Sequence, residues 1–481
     1  VVADVLARTA RTAGPAFFLT GTDEHGQKVQ NAAAEHGKAP QAWTDELVPR
    51  WKALFEAYHV RYDDFIRTTE PRHTRVVQAV FERLRESGDV YLGTYEGWYC
   101  VHDETFWLES KLVDGRCPTC GREVSWISEN DWFFRLSKYR DRLLEHFRAN
   151  PRWVRPTGVY NEMVSLLEEG LEDLSISRTN VDWGIPVPGG GGTIYVWFDA
   201  LLNYLSAVGW STDPARFATY WPASVQLVGK EIARFHTIIW PAVLWAIGEA
   251  APDLVFAHGW ITVDGQKMGK SVGNAVDAFE LARRFGADSM RYFLLREAPF
   301  GSDFSYSEEK IAQRHNDDLG NDLGNLLQRT LAMLAKYRSG LVPAPAARSG
   351  ALALRFEELP ARVRATMLDL RFREALEAVW ELVTALNRAI DERKPWVLYK
   401  EGRSEELDAL LYDLCEGLRW LAALLHPVMP ERMEEMWRRI GASGSVGDDW
   451  SESLRWGGLR AGSVTDVGTP LFPRIELVPS A

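Results

Sequence analysis

Apolar positions recur along the chain at two periods, and the places where the period changes mark its organisation. Val2, Val5 and Leu6 keep helical spacing, with Arg8 and Arg11 following before the stop signal Gly14-Pro15, so a helix is expected first. Phe17-Phe18-Leu19-Thr20 reads as a short buried strand ending in the polar turn Gly21 to Gly26, after which helical periodicity resumes through residue 37. Strand, functional loop and helix make a βα unit. From about Val90 to Arg155 that rhythm breaks into short β-like pieces rich in aromatics (Tyr91, Tyr95, Trp98, Tyr99, Phe106, Trp107), which predicts an insertion. Apolar runs over Gly192 to Asp199, Val225 to Val228 and Leu254 to Phe256 then alternate with helical stretches, so the insertion splits one α/β sheet domain. From about Asp303 the strands are expected to stop. Glu308 to Tyr337 and Leu359 to Ile440 keep 3.6-residue spacing with Arg and Glu on the other face, which predicts a helix bundle. Gly340 to Gly350 reads as a linker, and Pro470-Leu-Phe-Pro-Arg474 as a docking strand or loop.

Composition narrows the class. With 481 residues, 46% hydrophobic and 25% charged, the chain is too long for one ordinary core and too apolar for disorder, so a soluble multi-domain protein is expected. Lys and Arg number 55 against 67 Asp and Glu, a net charge of −12, so no bulk positive field draws in polyanions and a nucleic-acid partner must be held locally. The best membrane candidate, Ile238 to Ile247, falls short of the roughly 18 residues required and contains Pro241, which argues against a membrane protein. Four cysteines make no disulfide framework, and the pair in Cys117-Pro-Thr-Cys120 suggests metal or redox chemistry in a reducing, cytoplasmic setting. No appended dimerisation domain is visible, so a monomer is the expectation. Val1 stands where an initiator Met would, with no targeting peptide, which suggests that an N-terminal segment has been removed.

Candidate chemistry clusters at loops. Lys267 and Lys270 lie three apart in Asp264-Gly-Gln-Lys-Met-Gly-Lys-Ser271, after the strand-like run His258 to Val263. Two ammonium groups on a glycine-containing loop suit a polyphosphate leaving group, because a lysine point charge can follow charge as it develops. Asp23, Glu24 and His25 sit at the C-terminal end of a strand, where open α/β sheets bind ligands, though a solvated helix-capping turn reads equally well. Tyr195, Trp197, Tyr204, Phe235, His236 and Trp240 form an aromatic set; the polar atoms of Tyr204 and His236 need partners if buried, which favours a lined cavity over plain core. Cys415 lies in an apolar helical run and is read as core.

These blocks together resemble the methionyl-tRNA synthetases, a class I family, along essentially the whole chain. They include FFLTGTDEHGQK, YEGWYC, CPTCGR, SISRTNVDWGIPVP, YVWFDALLNY, GKEIARFHTIIWP, HGWITVDGQKMGKSVGN, NDLGNLLQR, KPW and PLFPRIE, in the family's order. The resemblance implies an α/β fold: a Rossmann-type parallel sheet (1–90 and 156–300) split by a zinc-knuckle insertion (91–155), then a stem-contact segment (301–340) and an α-helical anticodon-binding bundle (341–481). It implies a methionine–tRNA ligase that makes methionyl-adenylate from methionine and ATP, with Mg2+ on the ATP, and passes methionine to the 3′ end of tRNA(Met). Lys267, Lys270 and Ser271 then match the family's Lys-Met-Ser-Lys-Ser signature, with Gly269 where it has Ser, which leaves both lysines in place. Asp23 falls where a carboxylate holds the methionine amino group, and Trp197, Ala200, Tyr204, Ile232, His236 and Trp240 fall on the side-chain pocket, a slot of aromatic faces suited to a thioether. Gly229, Lys230, His258, Gly259 and Trp260 border the nucleotide. Leu201 and Glu231 replace Pro and Asp as tolerable variations. Asn325, Arg329 and Trp396 match the positions that read the anticodon, where Trp stacks on a base and Asn and Arg bond its edges. Cys100, Cys117 and Cys120 match a zinc knuckle whose fourth ligand is not Cys, leaving Asp103 or His102 to complete it.

One expected motif is absent. Class I synthetases carry His-x-Gly-His in the first βα turn, and no two of the ten histidines here lie three residues apart. In the family that motif sits just upstream of the helix matching VVADVLAR, so the reading is of a chain that starts immediately after it, short of the first strand and part of the methionine and ATP sites and weakened in catalysis. The alternative from another class is a non-catalytic tRNA-binding synthetase remnant; retention of Lys267, Lys270 and the whole pocket weighs against it. A sister enzyme for isoleucine or leucine would need a large editing domain, for which the insertion is too short.

Overall fold

The computed structural model describes residues 1–103, 105–263, 265–268, 275–345, 354–447 and 450–477; for Tyr95, Glu96, Phe106, Ser128, Glu129, Lys267 and Glu452 it describes the backbone alone. Two units emerge: Leu19–Lys52 with Tyr62–His258, and Val1–Phe18 with Ala53–Arg61 and Gly259–Ala481.

The unit built on Leu19–Lys52 and Tyr62–His258 holds parallel α/β structure. Strand Leu19–Thr22 pairs with Asp64–Arg67 in parallel, Thr22 opposite Arg67. Glycine is required at position 21 because a Cβ there would lie 1.9 Å from the Ile66 carbonyl oxygen. A second parallel sheet orders Gln226–Gly229, Val255–His258 and Val154–Arg155, with Gly229 opposite His258. The expected insertion is a four-stranded antiparallel sheet in which Val90–Cys100 pairs with Ser125–Phe134 along their length, flanked by Thr105–Trp107 and Leu174–Ser175. Helix Pro71–Glu86 buries Val76, Val77, Val80, Phe81 and Leu84, the helical stripe that docks it, and Phe81 meets Trp132 of the sheet edge-on at 5.6 Å.

Four expectations shift. The first strand begins at Leu19, not Phe17, since its ladder starts at the Leu19–Asp64 pair. The following helix, Gln27–Glu35, stops short of residue 37, where Gly37 takes a left-handed φ of 65° that terminates it. Gly192 to Asp199 is strand only at Thr193–Ile194; Val196–Leu201 is helical despite its β-branched and aromatic residues. The cause is tertiary: the helix delivers the Asp199 carboxylate, with no solvent exposure, to two histidines. Strands also continue past 303, because Phe304–Ser305 pairs in parallel with Ile261–Val263.

The other unit is mainly helical. Its bundle comprises Leu359–Leu368, Phe372–Arg393, Pro395–Lys400, Ser404–Leu425 and Pro430–Arg439, broken at left-handed Leu370 (φ 63°) and Lys394 (φ 47°) and at Gly402 (φ 73°). Cys415 is buried in helix Ser404–Leu425, as expected, and its thiol is pushed up by that burial. Before the bundle, Glu308–Arg314 continues as the π-helix His315–Gly324 and then Asn325–Arg338. The tail 466–477 has no regular structure but docks: Leu471 and Phe472 are buried, His315 Nε2 bonds the Pro473 carbonyl at 2.7 Å, and Asn316 exchanges two 2.9 Å hydrogen bonds with the Ile475 backbone.

A fully buried arginine ties this unit together. Arg291 donates to Val428 O (2.7 Å), Tyr58 O (2.9 Å), Pro427 O (2.8 Å) and Asp4 Oδ2 (2.6 Å). Asp4 in turn accepts from Arg8 Nε at 3.0 Å and from the Arg61 backbone N–H at 2.8 Å. The first helix, residues 53–61 and the turn before Pro430 thus converge on one ion pair. Removing Asp4 leaves the Arg291 charge buried without its carboxylate, which typically costs about 3–5 kcal/mol, whereas Asp4 without Arg291 keeps Arg8. Asp4→Leu is accordingly expected to lower the unfolding free energy of this unit, measured by denaturant titration, by an amount in that range, and Asp4→Leu combined with Arg291→Met to cost less than the two single losses added together; a double variant with additive losses would contradict the pairing.

Candidate functional site

The loop after strand Leu19–Thr22 is held from several sides. Glu24 Oε1 accepts from Thr22 Oγ1 (2.6 Å) and Arg67 Nε (2.8 Å), and Oε2 from Arg67 Nη2 (2.9 Å) and Thr69 Oγ1 (2.7 Å). Burial alone would raise this carboxyl, but those hydrogen bonds outweigh it and hold it below the ordinary range. Trp183 Nε1 donates to the Glu24 carbonyl at 2.6 Å, and the Gly26 N–H returns a bond to Trp183 O at 3.0 Å. Beside these buried anchors Asp23 is exposed. A frame of buried hydrogen bonds therefore positions the exposed Asp23 at the end of the strand.

Behind the loop lies a buried polar chain. Asp199 Oδ2 is 2.6 Å from His25 Nδ1, and Oδ1 is 2.6 Å from His73 Nε2, whose Nδ1 is 2.9 Å from Ser206 Oγ. Burial pushes the Asp199 carboxyl up, yet hydrogen bonds from the two histidines hold it below its ordinary value. Asp199 lies on helix Val196–Leu201 with Trp197 and Ala200, and Ser206 on Asn203–Val208 with Tyr204. Both helices are thus referenced to helix Pro71–Glu86 through His73.

The pocket residues come together here. Trp197 stacks on Phe235 at 4.1 Å and 15°, while the Tyr204 ring lies 5.9 Å from both His236 and Trp240. A π-helical turn, Phe235–Ile239, carries His236. His236 Nδ1 donates to the Ile232 carbonyl at 3.0 Å, which leaves Nε2 bare to accept the Tyr204 hydroxyl proton at 3.0 Å. Burial lowers the His236 pKa to about 4, so the ring is neutral at pH 7. The Ala200 carbonyl accepts from Asn203 Nδ2. The Tyr195 ring lies 4.1 Å from the Arg178 guanidinium.

The nucleotide candidates occupy strand ends. Gly229 and His258 are paired at the C-terminal ends of parallel strands, and Lys230 opens the 3-10 turn Lys230–Ile232. In the other unit, Gly259 meets the Ser302–Asp303 backbone so closely that a Cβ would lie 2.4 Å from Ser302 C. Asp303 Oδ1 accepts from the Trp260 N–H at 2.7 Å. Lys267 lies on strand Gln266–Lys267, paired antiparallel with Ile261–Val263, so it belongs to a hairpin and not to a free loop. Lys270 and Ser271 lie outside the described residues.

The knuckle gathers a metal-ligand set: one atom each from Cys100, Asp103, Cys117 and Cys120 lies within 4.8 Å of all the others. Ligands about 2.3 Å from a tetrahedral zinc stand roughly 4 Å apart, so this donor set is consistent with one zinc site. Cys117 Sγ is 3.0 Å from Asp103 Oδ2, and Cys100 Sγ 3.5 Å from Cys120 Sγ. His102 Nδ1 instead bonds the other Asp103 oxygen at 3.0 Å. Of the two fourth-ligand candidates, Asp103 joins the cluster and His102 stands behind it, orienting the carboxylate. Burial pushes the Cys100 thiol up to about 11.

Asn325 and Arg329 lie a helical turn apart on Asn325–Arg338, Asn325 exposed and Arg329 Nη2 bonded to the exposed Asp391 carboxylate at 2.6 Å. Trp396 is 49% exposed on helix Pro395–Lys400. Sequence reasoning missed Arg67, His73, Trp183 and the role of Asp199. Asp199 stood inside a quoted block; His73 carried no local signal, since its partner lies 126 residues away.

Residues 1–126 and 121–331 match the family described as tRNA synthetases class I (M), and residues 351–460 the anticodon-binding domain of tRNA ligase. The methionine–tRNA ligase of Caldanaerobacter subterraneus subsp. tengcongensis is 47% identical over 484 residues, covering 99% of this chain and 76% of that protein. That of Thermotoga maritima is 46% identical over 485 residues, covering 99% and 77%. Mycobacterium tuberculosis methionyl-tRNA synthetase in complex with methionyl-adenylate superposes with a TM-score of 0.93 at 42% identity, covering 98% of this chain and 95% of that one. The apo form of the same enzyme gives 0.86 at 38% identity, covering 99% and 94%. With the family match, the relatives' identity and the superposed fold in agreement, the chain belongs to the methionine–tRNA ligase family of class I tRNA synthetases.

Proposed function

We propose that this chain joins methionine to ATP at the pocket around Tyr204 and His236, and then transfers the methionyl group to the 3′-terminal adenosine of tRNA(Met). The observation that carries the substrate choice is the proton count in that pocket. Tyr204 spends its hydroxyl proton on His236 Nε2, and His236 spends its Nδ1 proton on Ile232 O. Aromatic faces and an oxygen lone pair remain, which suit a thioether and reject side chains that must accept a hydrogen bond. Asp23 holds the substrate ammonium group, and Trp197, Ala200, Ile232 and Trp240 complete the walls.

In the first step the methionine carboxylate attacks the α-phosphorus of ATP and pyrophosphate leaves; in the second a ribose hydroxyl displaces AMP. Lys267, Lys270 and Ser271 neutralise the departing pyrophosphate, and Gly229, Lys230, His258, Gly259 and Trp260 border the nucleotide. Magnesium enters with ATP. Asn325, Arg329 and Trp396 read the anticodon. Zinc, held by Cys100, Asp103, Cys117 and Cys120, would fix the tip of the insertion. On this reading residues 1–90 and 156–300 form the catalytic domain, 91–155 the connective insertion, 301–340 the stem-contact segment and 341–481 the anticodon-binding bundle. No helix among the described residues is long and apolar enough to cross a membrane, and we assign the chain to the cytoplasm as a monomer.

Amino-acid-dependent ATP–pyrophosphate exchange tests the reading directly. Exchange is expected with methionine and not with isoleucine or leucine; equal exchange with leucine would overturn the pocket assignment. For the metal, elemental analysis should find about one zinc per chain, lost in Asp103→Ala and kept in His102→Ala, and the reverse pattern would make His102 the ligand. His236 also predicts a pH dependence. Its folded pKa of about 4 lies below the ordinary value near 6.5, so the folded state binds fewer protons between them. Its stability contribution is therefore complete above about pH 6.5 and lost as pH falls toward 4, about 3 kcal/mol in all. His236→Gln should flatten the stability profile across that window; an unchanged slope would mean the ring is not held neutral.

A further inference from the structure

One aromatic pair on the helical unit lies outside every role given so far. Tyr337 and Tyr399 stack with centroids 4.6 Å apart at 28°. Tyr399 is 53% exposed, so the stack is not core. It follows Trp396 by three residues on helix Pro395–Lys400, and this spacing puts both exposed rings on one helix face. Tyr337 comes from Asn325–Arg338, the helix that carries Asn325 and Arg329.

Charge points the same way. Lys336 Nζ lies 5.4 Å from the Tyr337 ring centroid, and Lys394 and Lys400 bracket the short helix. Two neighbouring arginines are matched with acids, Arg338 with Asp408 and Arg403 with Glu401 and Glu406. Among the described residues none of the three lysines forms an ion pair with a carboxylate. A chain of net charge −12 thus leaves three uncompensated cations beside two open aromatic faces. Stacking faces flanked by cations are what single-stranded nucleic acid requires, because every base offers a π-face and every link a phosphate.

We infer that Tyr399, backed by Tyr337, is a second stacking step beside Trp396, taking the unpaired base next to the one on Trp396, with Lys336, Lys394 and Lys400 near the intervening phosphates. This rests on the reading of Trp396 as an anticodon-loop contact. Tyr337 stiffens the step: a ring already stacked loses little freedom when a base lands on its other face.

The test measures the affinity of a tRNA(Met) transcript for wild type, Tyr399→Phe, Tyr399→Leu, Tyr399→Ala and Trp396→Ala, with the melting temperature of each. It is repeated with 2-aminopurine at successive anticodon-loop positions to report stacking. Tyr399→Phe should bind like wild type, and Tyr399→Leu and Tyr399→Ala about tenfold more weakly. In the wild type the fluorescence of two adjacent positions should be quenched, and in Tyr399→Leu only one. Leucine keeps apolar bulk against Tyr337, so it answers the question even if the alanine variant melts early. Wild-type affinity in Tyr399→Leu, with binding weakened in Trp396→Ala, would overturn the second step while leaving the anticodon reading intact. Unchanged affinity in Trp396→Ala would overturn the reading on which it rests.

Discussion

A single carboxylate without solvent exposure organises the amino-acid side of the site. Asp199 is stable as an anion only because His25 and His73 each place a ring nitrogen 2.6 Å from one of its oxygens. Everything that needs a fixed position is referenced to it: His25 belongs to the loop that presents Asp23, Asp199 shares a helix with Trp197, and His73 reaches Ser206 on the helix of Tyr204. An apolar residue could fill the same volume at less desolvation cost, but it would specify no angle between loop and helices. The buried charge sets geometry at the expense of stability.

The second buried histidine group shows the opposite choice within the same unit. His236 is held neutral by burial, its protons committed to Ile232 and received from Tyr204. Ionised Asp199 and neutral His236 divide the work: the charged network fixes the frame, and the Tyr204–His236 pair adds no charge to the proposed pocket. On the proposed reading an ammonium group meets the carboxylate of Asp23 and a thioether meets the rings. That separation of polar end and apolar end is what an amino acid with an uncharged, weakly polar side chain needs.

How much of this was legible beforehand depends on the range of the interactions. The knuckle spacing, the helical periodicity of the bundle and the aromatic set are local patterns, and they lead directly to the cysteine cluster, the helices and the pocket walls. Helix Val196–Leu201 was misread as strand because its local composition favours β structure, while its conformation is decided by histidines far away in sequence. Arg67 and Trp183 escaped notice for the same reason, since each acts on Glu24 across 43 and 159 residues. The choice between His102 and Asp103 was open in one dimension because the two are adjacent, and became a matter of which carboxylate oxygen meets the sulfurs and which meets the imidazole.

The acidic balance of the chain bears on how it can recognise a polyanion at all. With 67 acids against 55 bases, affinity cannot come from a broad positive field, so it must come from contacts that work at short range. Arg329 illustrates the device: its guanidinium is already paired with exposed Asp391, so it adds little long-range attraction, and on the proposed anticodon reading a base edge would replace the carboxylate. The stacking proposed for Trp396 is equally short-ranged. On that reading discrimination comes from the contacts themselves, because a wrong base would leave either the ring uncovered or the guanidinium with its original partner. For an enzyme that has to pick one tRNA among many of nearly identical charge and shape, a weak field with exacting contacts selects better than a strong field that holds them all.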